Sequence, residues 1–134
     1  MTATETRAGA GRISAAAAID LVLVLAFAAL GRSSHAEALS PAGLWQTAWP
    51  FRAGLAISWV AALVWRAPTA PLRSGIPVWI GTVALGMVLR VWFTTGGAAL
   101  PFIIVATVTL GILLLGWRGI AALIRRLQRG ARNR

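Results

Sequence analysis

The chain has 134 residues, of which 58% are hydrophobic and only 12% are charged, and its mean hydropathy is +0.77. Soluble domains carry about 25% charged residues, so this composition predicts an integral membrane protein without a separate soluble domain. The sequence has no cysteine, three acidic residues and one histidine. This excludes disulfides and thiolate chemistry, and it argues against a protein-built metal site or a bound cofactor.

Residues 1–12 are small and polar and are predicted to be disordered. The first apolar run follows at residues 13–30 and would be roughly 27 Å long as a helix, close to the ~30 Å hydrocarbon thickness of a bilayer. A signal peptide cleaved near residues 36–38 is the alternative. The length of the run and the presence of Asp20 within it argue against cleavage.

Three further spans are predicted, at about residues 49–65, 76–93 and 100–117. Ser40 followed by Pro41 is typical of a helix start, which predicts a short interfacial helix before the second span. The sequence therefore predicts an all-α membrane fold, a four-helix transmembrane bundle that occupies residues 13–117.

Residues 118–134 are predicted to form a basic cytoplasmic tail. Four apolar residues in it share one helix face because they are spaced i, i+3, i+4 and i+7. Arg125, Arg126 and Arg129 face away from that stripe, as in an amphipathic helix that lies on anionic lipid. A tail exposed to solvent is the alternative. The apolar residues are Ile120, Leu123, Ile124 and Leu127.

The distribution of arginine predicts the topology. The net charge is +10 and every basic residue is arginine. Ten arginines lie on one side of the four predicted spans and three on the other, which predicts cytoplasmic N- and C-termini. Positive charge outside the spans fits membrane topology better than nucleic-acid binding. The three on the outer side are Arg32, Arg52 and Arg90.

Asp20 is the main candidate site residue, because an ionisable group inside a membrane span is a functional-site hypothesis by default. It is predicted to face the bundle interior, either neutral or ionised beside a cation. It could serve as a proton or cation relay. Alternatively, it is a structural carboxylate bonded to Thr, Trp N–H or Arg on adjacent helices.

The outer end of the bundle carries a second set of candidates. Arg52 and Arg90 lie near span ends and could converge on an anionic ligand, with Arg32 and His35 at the outer mouth. Separate snorkelling of each arginine to the headgroups is the alternative. A direct contact between Asp20 and Arg90 would have to bridge about 10 Å of depth, by the rise per residue of a helix.

Several stretches together resemble the bacterial and archaeal membrane family known as domain of unknown function 3054, over about residues 14–119. The resemblance implies a small integral membrane protein and supplies no activity. The stretches are Asp20 with residues 22–27, residues 31–35, residues 47–51 with Gly54, residues 86–90 and residues 115–118.

Two functions are compatible with the sequence. The first is binding or transport of a small solute, ion or proton through an oligomeric bundle in a bacterial cell membrane. The second is an accessory subunit that packs against lipid, another membrane protein or a second copy of the chain. A transport pathway needs a continuous polar face, but leucine and valine interrupt it between Asp20 and Arg90. This somewhat favours the accessory subunit. An enzyme is not predicted, because no nucleophile and base can be paired.

Overall fold

The computed structural model describes residues 3–34 and 40–134, and for residues 3–8, 33 and 34 it describes the backbone only. Four long helices account for most of this part: α1 Ala3–Ser34, α2 Pro41–Ala61, α3 Ile76–Phe93 and α4 Leu100–Arg132. No strand occurs within these described residues. The predicted all-α class is confirmed. His35 and the alternative cleavage site at residues 36–38 lie outside the described residues.

Helix boundaries follow local chemistry at two points. The Ser40 hydroxyl accepts a hydrogen bond from the Gly43 N–H (3.0 Å), and Pro41 occupies the first helical position, as predicted. At the other end of α2, Leu63 adopts a left-handed conformation (φ 52°) that ends the helix. A compact connection then leads into α3 through short helical turns at Val64–Arg66 and Pro71–Gly75.

Three helices extend further than the sequence predicts. α1 begins at Ala3, within the segment predicted to be disordered, and α4 continues through the predicted tail to Arg132. α2 is one helix from Pro41, so the predicted interfacial helix and the start of the second span are a single element. Because each residue added to an existing helix gains a backbone hydrogen bond without a new nucleus, helices propagate past the apolar boundary.

Neighbouring helices run antiparallel. Along α1 and α2, Arg32 donates to Thr47 Oγ1 at one end, and Trp59 donates to Asp20 nearer the other. The same reversal relates α2 to α3, α3 to α4 and α4 to α1. The chain therefore forms an up-down-up-down bundle in which α1 and α3 point the same way.

Small residues allow close packing between α2 and α3. A Cβ added to Gly54 would lie 3.1 Å from the Gly86 nitrogen, and one added to Gly86 would collide with the Phe51 ring. Phe51 in turn packs on Phe27 and Phe102, with ring centroids 5.2 and 6.1 Å away. This aromatic cluster forms the centre of the core.

Of the four helices, three are long and apolar enough to cross a membrane, counted over the described residues, whereas the sequence predicts four such spans. They lie within Gly9–Arg32, Pro71–Phe93 and Leu100–Arg132. α2 is long enough at 21 residues. The mean hydropathy of α2 is too low because the helix contains Gln46, Arg52 and several tryptophans among its apolar residues.

Candidate functional site

A buried ion pair joins α1 to α4. Arg118 Nη1 donates to Asp20 Oδ1 at 2.8 Å, and Arg118 Nη2 donates to Asp20 Oδ2 at 2.6 Å. Both side chains are 0% exposed. The contact is a bidentate carboxylate–guanidinium pair, the geometry in which arginine binds a carboxylate most strongly.

Two indoles complete the coordination of the carboxylate. The Trp59 N–H donates to Asp20 Oδ2 at 2.9 Å, and the Trp117 N–H donates to Asp20 Oδ1 at 2.8 Å. Each carboxylate oxygen therefore accepts two hydrogen bonds, which uses the roughly four lone-pair positions of the group. Asp20 has no remaining position for a further donor.

The guanidinium is also held by backbone. Arg118 Nε donates to the Pro68 carbonyl at 3.0 Å, and Nη1 also donates to the Leu114 carbonyl at 3.1 Å. The guanidinium carbon lies 4.6 Å from the centre of the Trp117 ring. The cluster of Asp20, Arg118, Trp59 and Trp117 therefore draws on α1, α2, α4 and the connection before α3.

Local sequence places these groups. Asp20 lies on the same face of α1 as Ala16 and Val24, which are both buried, so helical spacing carries the carboxylate into the core. At Gly75 a Cβ would lie 2.7 Å from Leu115 and 3.3 Å from the Arg118 side chain. The absence of a side chain there lets the connection approach α4 and close the cluster.

The cluster is suited to fixing helices in place. A buried carboxylate and guanidinium are expensive to desolvate, and only close pairing with further hydrogen bonds offsets that cost. A proton or cation relay needs a carboxylate oxygen that can exchange partners, whereas both oxygens here are occupied by donors from α2 and α4. The geometry matches the structural alternative for Asp20, with tryptophan N–H and arginine as its donors.

The predicted outer residues have separate partners. Arg52 is exposed, and its guanidinium lies 4.1 Å from the centre of the Trp45 ring. Arg90 donates to the carbonyls of Gly97 (2.8 Å) and Gly96 (3.2 Å) and lies over the Phe102 ring. These contacts hold Arg52 and Arg90 at different places, and neither is among the donors to Asp20 described above.

Arg32 donates to Thr47 Oγ1 at 3.0 Å, between α1 and α2. His35, its predicted companion at the outer mouth, lies outside the described residues.

Sequence reasoning missed Arg118 as the partner of Asp20. Arg118 follows the last apolar residues of the fourth predicted span, so the sequence pattern places it in the tail. The depth of Asp20 along its helix could have identified this partner. Asp20 lies about seven residues from the start of the first predicted span, on the side of the bundle where the fourth predicted span ends. A long arginine side chain at that end can reach inward by several ångströms.

Comparison with known proteins covers most of the chain. A sequence model of the family described as "Protein of unknown function (DUF3054)" matches residues 17–121, which include all four residues of the cluster. Neither the curated proteins nor the solved structures contain a match. The match confirms the resemblance found in the sequence, and the chain belongs to the DUF3054 family.

Proposed function

We propose that the chain is a four-span protein of a bacterial cell membrane, with cytoplasmic termini, and that it acts as a structural accessory subunit rather than a transporter. The observation that carries the second part is the saturated Asp20 carboxylate. The first part rests on the helix directions and on the distribution of arginine.

The direction of α2 supports four spans. α1 and α3 point the same way, so the chain between them must return across the thickness that α1 has crossed. α2 makes that return, since it contacts α1 near Arg32 at one end and at Asp20 toward the other. Gln46 and Arg52 are exposed, and Arg52 lies over the Trp45 ring, so these side chains can reach the headgroup region where interfacial tryptophans are common.

The arginines support cytoplasmic termini. Arg118 is neutralised by Asp20 and contributes little to the charge of its side. Nine arginines remain on that side against three on the other, which keeps the positive-inside bias.

The interior supports a role without transport. Between the Asp20 cluster and the opposite end, the core is filled by apolar side chains. The buried hydroxyl groups there are those of Ser58, which donates to the Gly54 carbonyl, and Thr82. A proton or ion path needs a continuous polar or hydrated lining. The core residues are Val24, Phe27, Phe51, Leu55, Val64, Val78, Met87, Ala106, Leu110 and Leu114.

The outer faces supply the partner surfaces of an accessory subunit. Large apolar side chains are exposed along every helix, for example Val22, Val60, Ile80 and Ile112. In a membrane these faces contact lipid, a second copy of the chain or another membrane protein. Arg125, Arg126 and Arg129 lie beyond the apolar part of α4, where anionic headgroups would meet them.

Flux measurements test the role. The purified protein is reconstituted in liposomes, and proton and ion flux is compared with that of empty liposomes. We expect no excess flux from the wild type, and retention of a specific membrane partner when the protein is purified from cells. Proton flux by the wild type that Asp20→Asn abolishes, in a variant that remains folded, would overturn the accessory role.

Labelling tests the topology. Because the chain has no cysteine, Leu72→Cys and Thr95→Cys each introduce one unique thiol at an exposed position. With a membrane-impermeant maleimide on intact cells, we expect Thr95→Cys to react and Leu72→Cys to react only after permeabilisation. The reverse pattern would contradict cytoplasmic termini.

A further inference from the structure

A basic cleft lies between the start of α1 and the end of α4, where both helices extend beyond the Asp20 cluster. It has a volume of about 690 Å³, within the roughly 300–1,000 Å³ range of small-molecule sites. Four of its six lining residues are arginine, and no carboxylate is among its described lining side chains. The lining residues are Arg12, Arg125, Gln128, Arg129, Ala131 and Arg132.

The helical period of α4 directs three arginines into this cleft. Arg125, Arg129 and Arg132 are spaced i, i+4 and i+7, and they continue the face on which Arg118 points into the bundle. The exposed apolar residues Ile120, Leu123, Ile124 and Leu127 lie on the opposite face. The cleft therefore faces α1, which contributes Arg12 from across the gap.

One wall of the cleft is held in place. Arg125 is half-buried, and it donates to the Thr69 hydroxyl (2.5 Å) and the Thr69 carbonyl (3.3 Å) in the connection before α3. This tether fixes the guanidinium before any ligand arrives, which lowers the ordering cost of binding.

We propose that this cleft binds a ligand carrying more than one phosphate group. Guanidinium groups match phosphate oxygens with paired N–H donors. Four like charges that line one cleft also repel one another and concentrate anions near them. A bound polyanion satisfies the arginines and joins the α1 extension to that of α4.

The ligand could be a lipid headgroup with two phosphates or a soluble diphosphate, since both present the same chemistry. A lipid source rests on the proposed membrane arrangement, which would set the cleft at the cytoplasmic headgroups. The diphosphate chemistry itself does not depend on that arrangement.

The soluble arm uses pyrophosphate and the full-length protein in a neutral detergent. We expect saturable binding by calorimetry, weakened about tenfold by Arg12→Gln and by the double variant Arg129→Gln/Arg132→Gln, as loss of charged hydrogen bonds predicts. The matched control Arg126→Gln/Arg134→Gln removes two charges outside the cleft lining, one from α4 and one just after its end, and it should change affinity by less than about twofold. Equal weakening by both double variants, or no binding in either arm, would overturn the site.

The lipid arm uses nanodiscs of phosphatidylcholine with or without cardiolipin, whose headgroup carries two phosphates. Cardiolipin retention that pyrophosphate displaces and Arg12→Gln weakens identifies lipid as the source. Pyrophosphate binding without cardiolipin retention identifies a soluble ligand, and either result supports the cleft. Failure of the cysteine-labelling test would remove the lipid source but would leave the pyrophosphate result unchanged.

Discussion

The two ends of the bundle manage arginine in different ways. At one end, Arg118 is 0% exposed and is matched by a carboxylate, two indole N–H groups on that carboxylate and a backbone carbonyl from the connection. At the other end, Arg52 is exposed over a tryptophan ring and Arg90 is half-buried against carbonyls and a phenylalanine ring.

The difference shows where a guanidinium can be fully buried. Full burial requires a carboxylate at bidentate distance and partners for the remaining donors, because an uncompensated buried charge is very costly. An arginine near the bundle surface can use ring faces and carbonyls while part of it reaches polar surroundings. A fully buried, paired arginine such as Arg118 holds helices together, whereas an arginine near the surface can be substituted with little loss of stability.

The largest expected effect comes from breaking the buried pair. Arg118→Met or Asp20→Asn alone leaves one charge buried without its partner, and each should lower the free energy of unfolding by about 3–5 kcal/mol. The double variant should lose much less than the sum of the single losses, since both charges are gone. Denaturation of the purified protein in mixed micelles measures all three.

Arg126→Met is the matched control for that cycle, because Arg126 is exposed on the same helix. It should change stability by no more than about 0.5 kcal/mol. Additive losses from the two single substitutions would show that the pair does not act as a unit.

An intermediate effect is expected from the indoles. Trp59→Phe and Trp117→Phe each remove one hydrogen bond to the charged carboxylate, and each should cost about 1.5–3 kcal/mol. Trp79→Phe is the control: Trp79 is equally half-buried, but it donates to the neutral Thr107 carbonyl at 2.8 Å. Its loss should be nearer 1 kcal/mol.

The same denaturation measurement ranks the three tryptophan variants. If Trp79→Phe destabilised the protein as much as Trp59→Phe, the indoles would contribute by packing alone, and the saturation of Asp20 would not matter for stability.

The smallest effect is expected at the opposite end. Arg52→Gln removes a cation–π contact at an exposed position and should cost less than about 1 kcal/mol. Combining it with Trp45→Leu in a double-mutant cycle measures the contact itself. A loss as large as that of Arg118→Met would mean that Arg52 is more tightly held than its exposure indicates.

Particular residues show how far sequence reasoning reached. The start of α2 at Ser40 and Pro41 and the inward position of Asp20 follow from local patterns and are confirmed. The predicted ends of the spans were less accurate, because α1 and α4 remain helical beyond their apolar runs. Hydropathy marks where apolar side chains stop, and it does not mark where backbone hydrogen bonding stops.

By itself, the sequence determined the helical class, the membrane-like composition and the inward face of Asp20, because side-chain hydropathy and the helical period act over a few neighbouring residues. Only the tertiary structure decided that Arg118, 98 positions away along the chain, neutralises Asp20. It also decided that Arg12 faces the arginines of α4. Such pairings depend on the direction and rotation of whole helices, which are set by packing against every neighbour at once and leave no local trace in the chain.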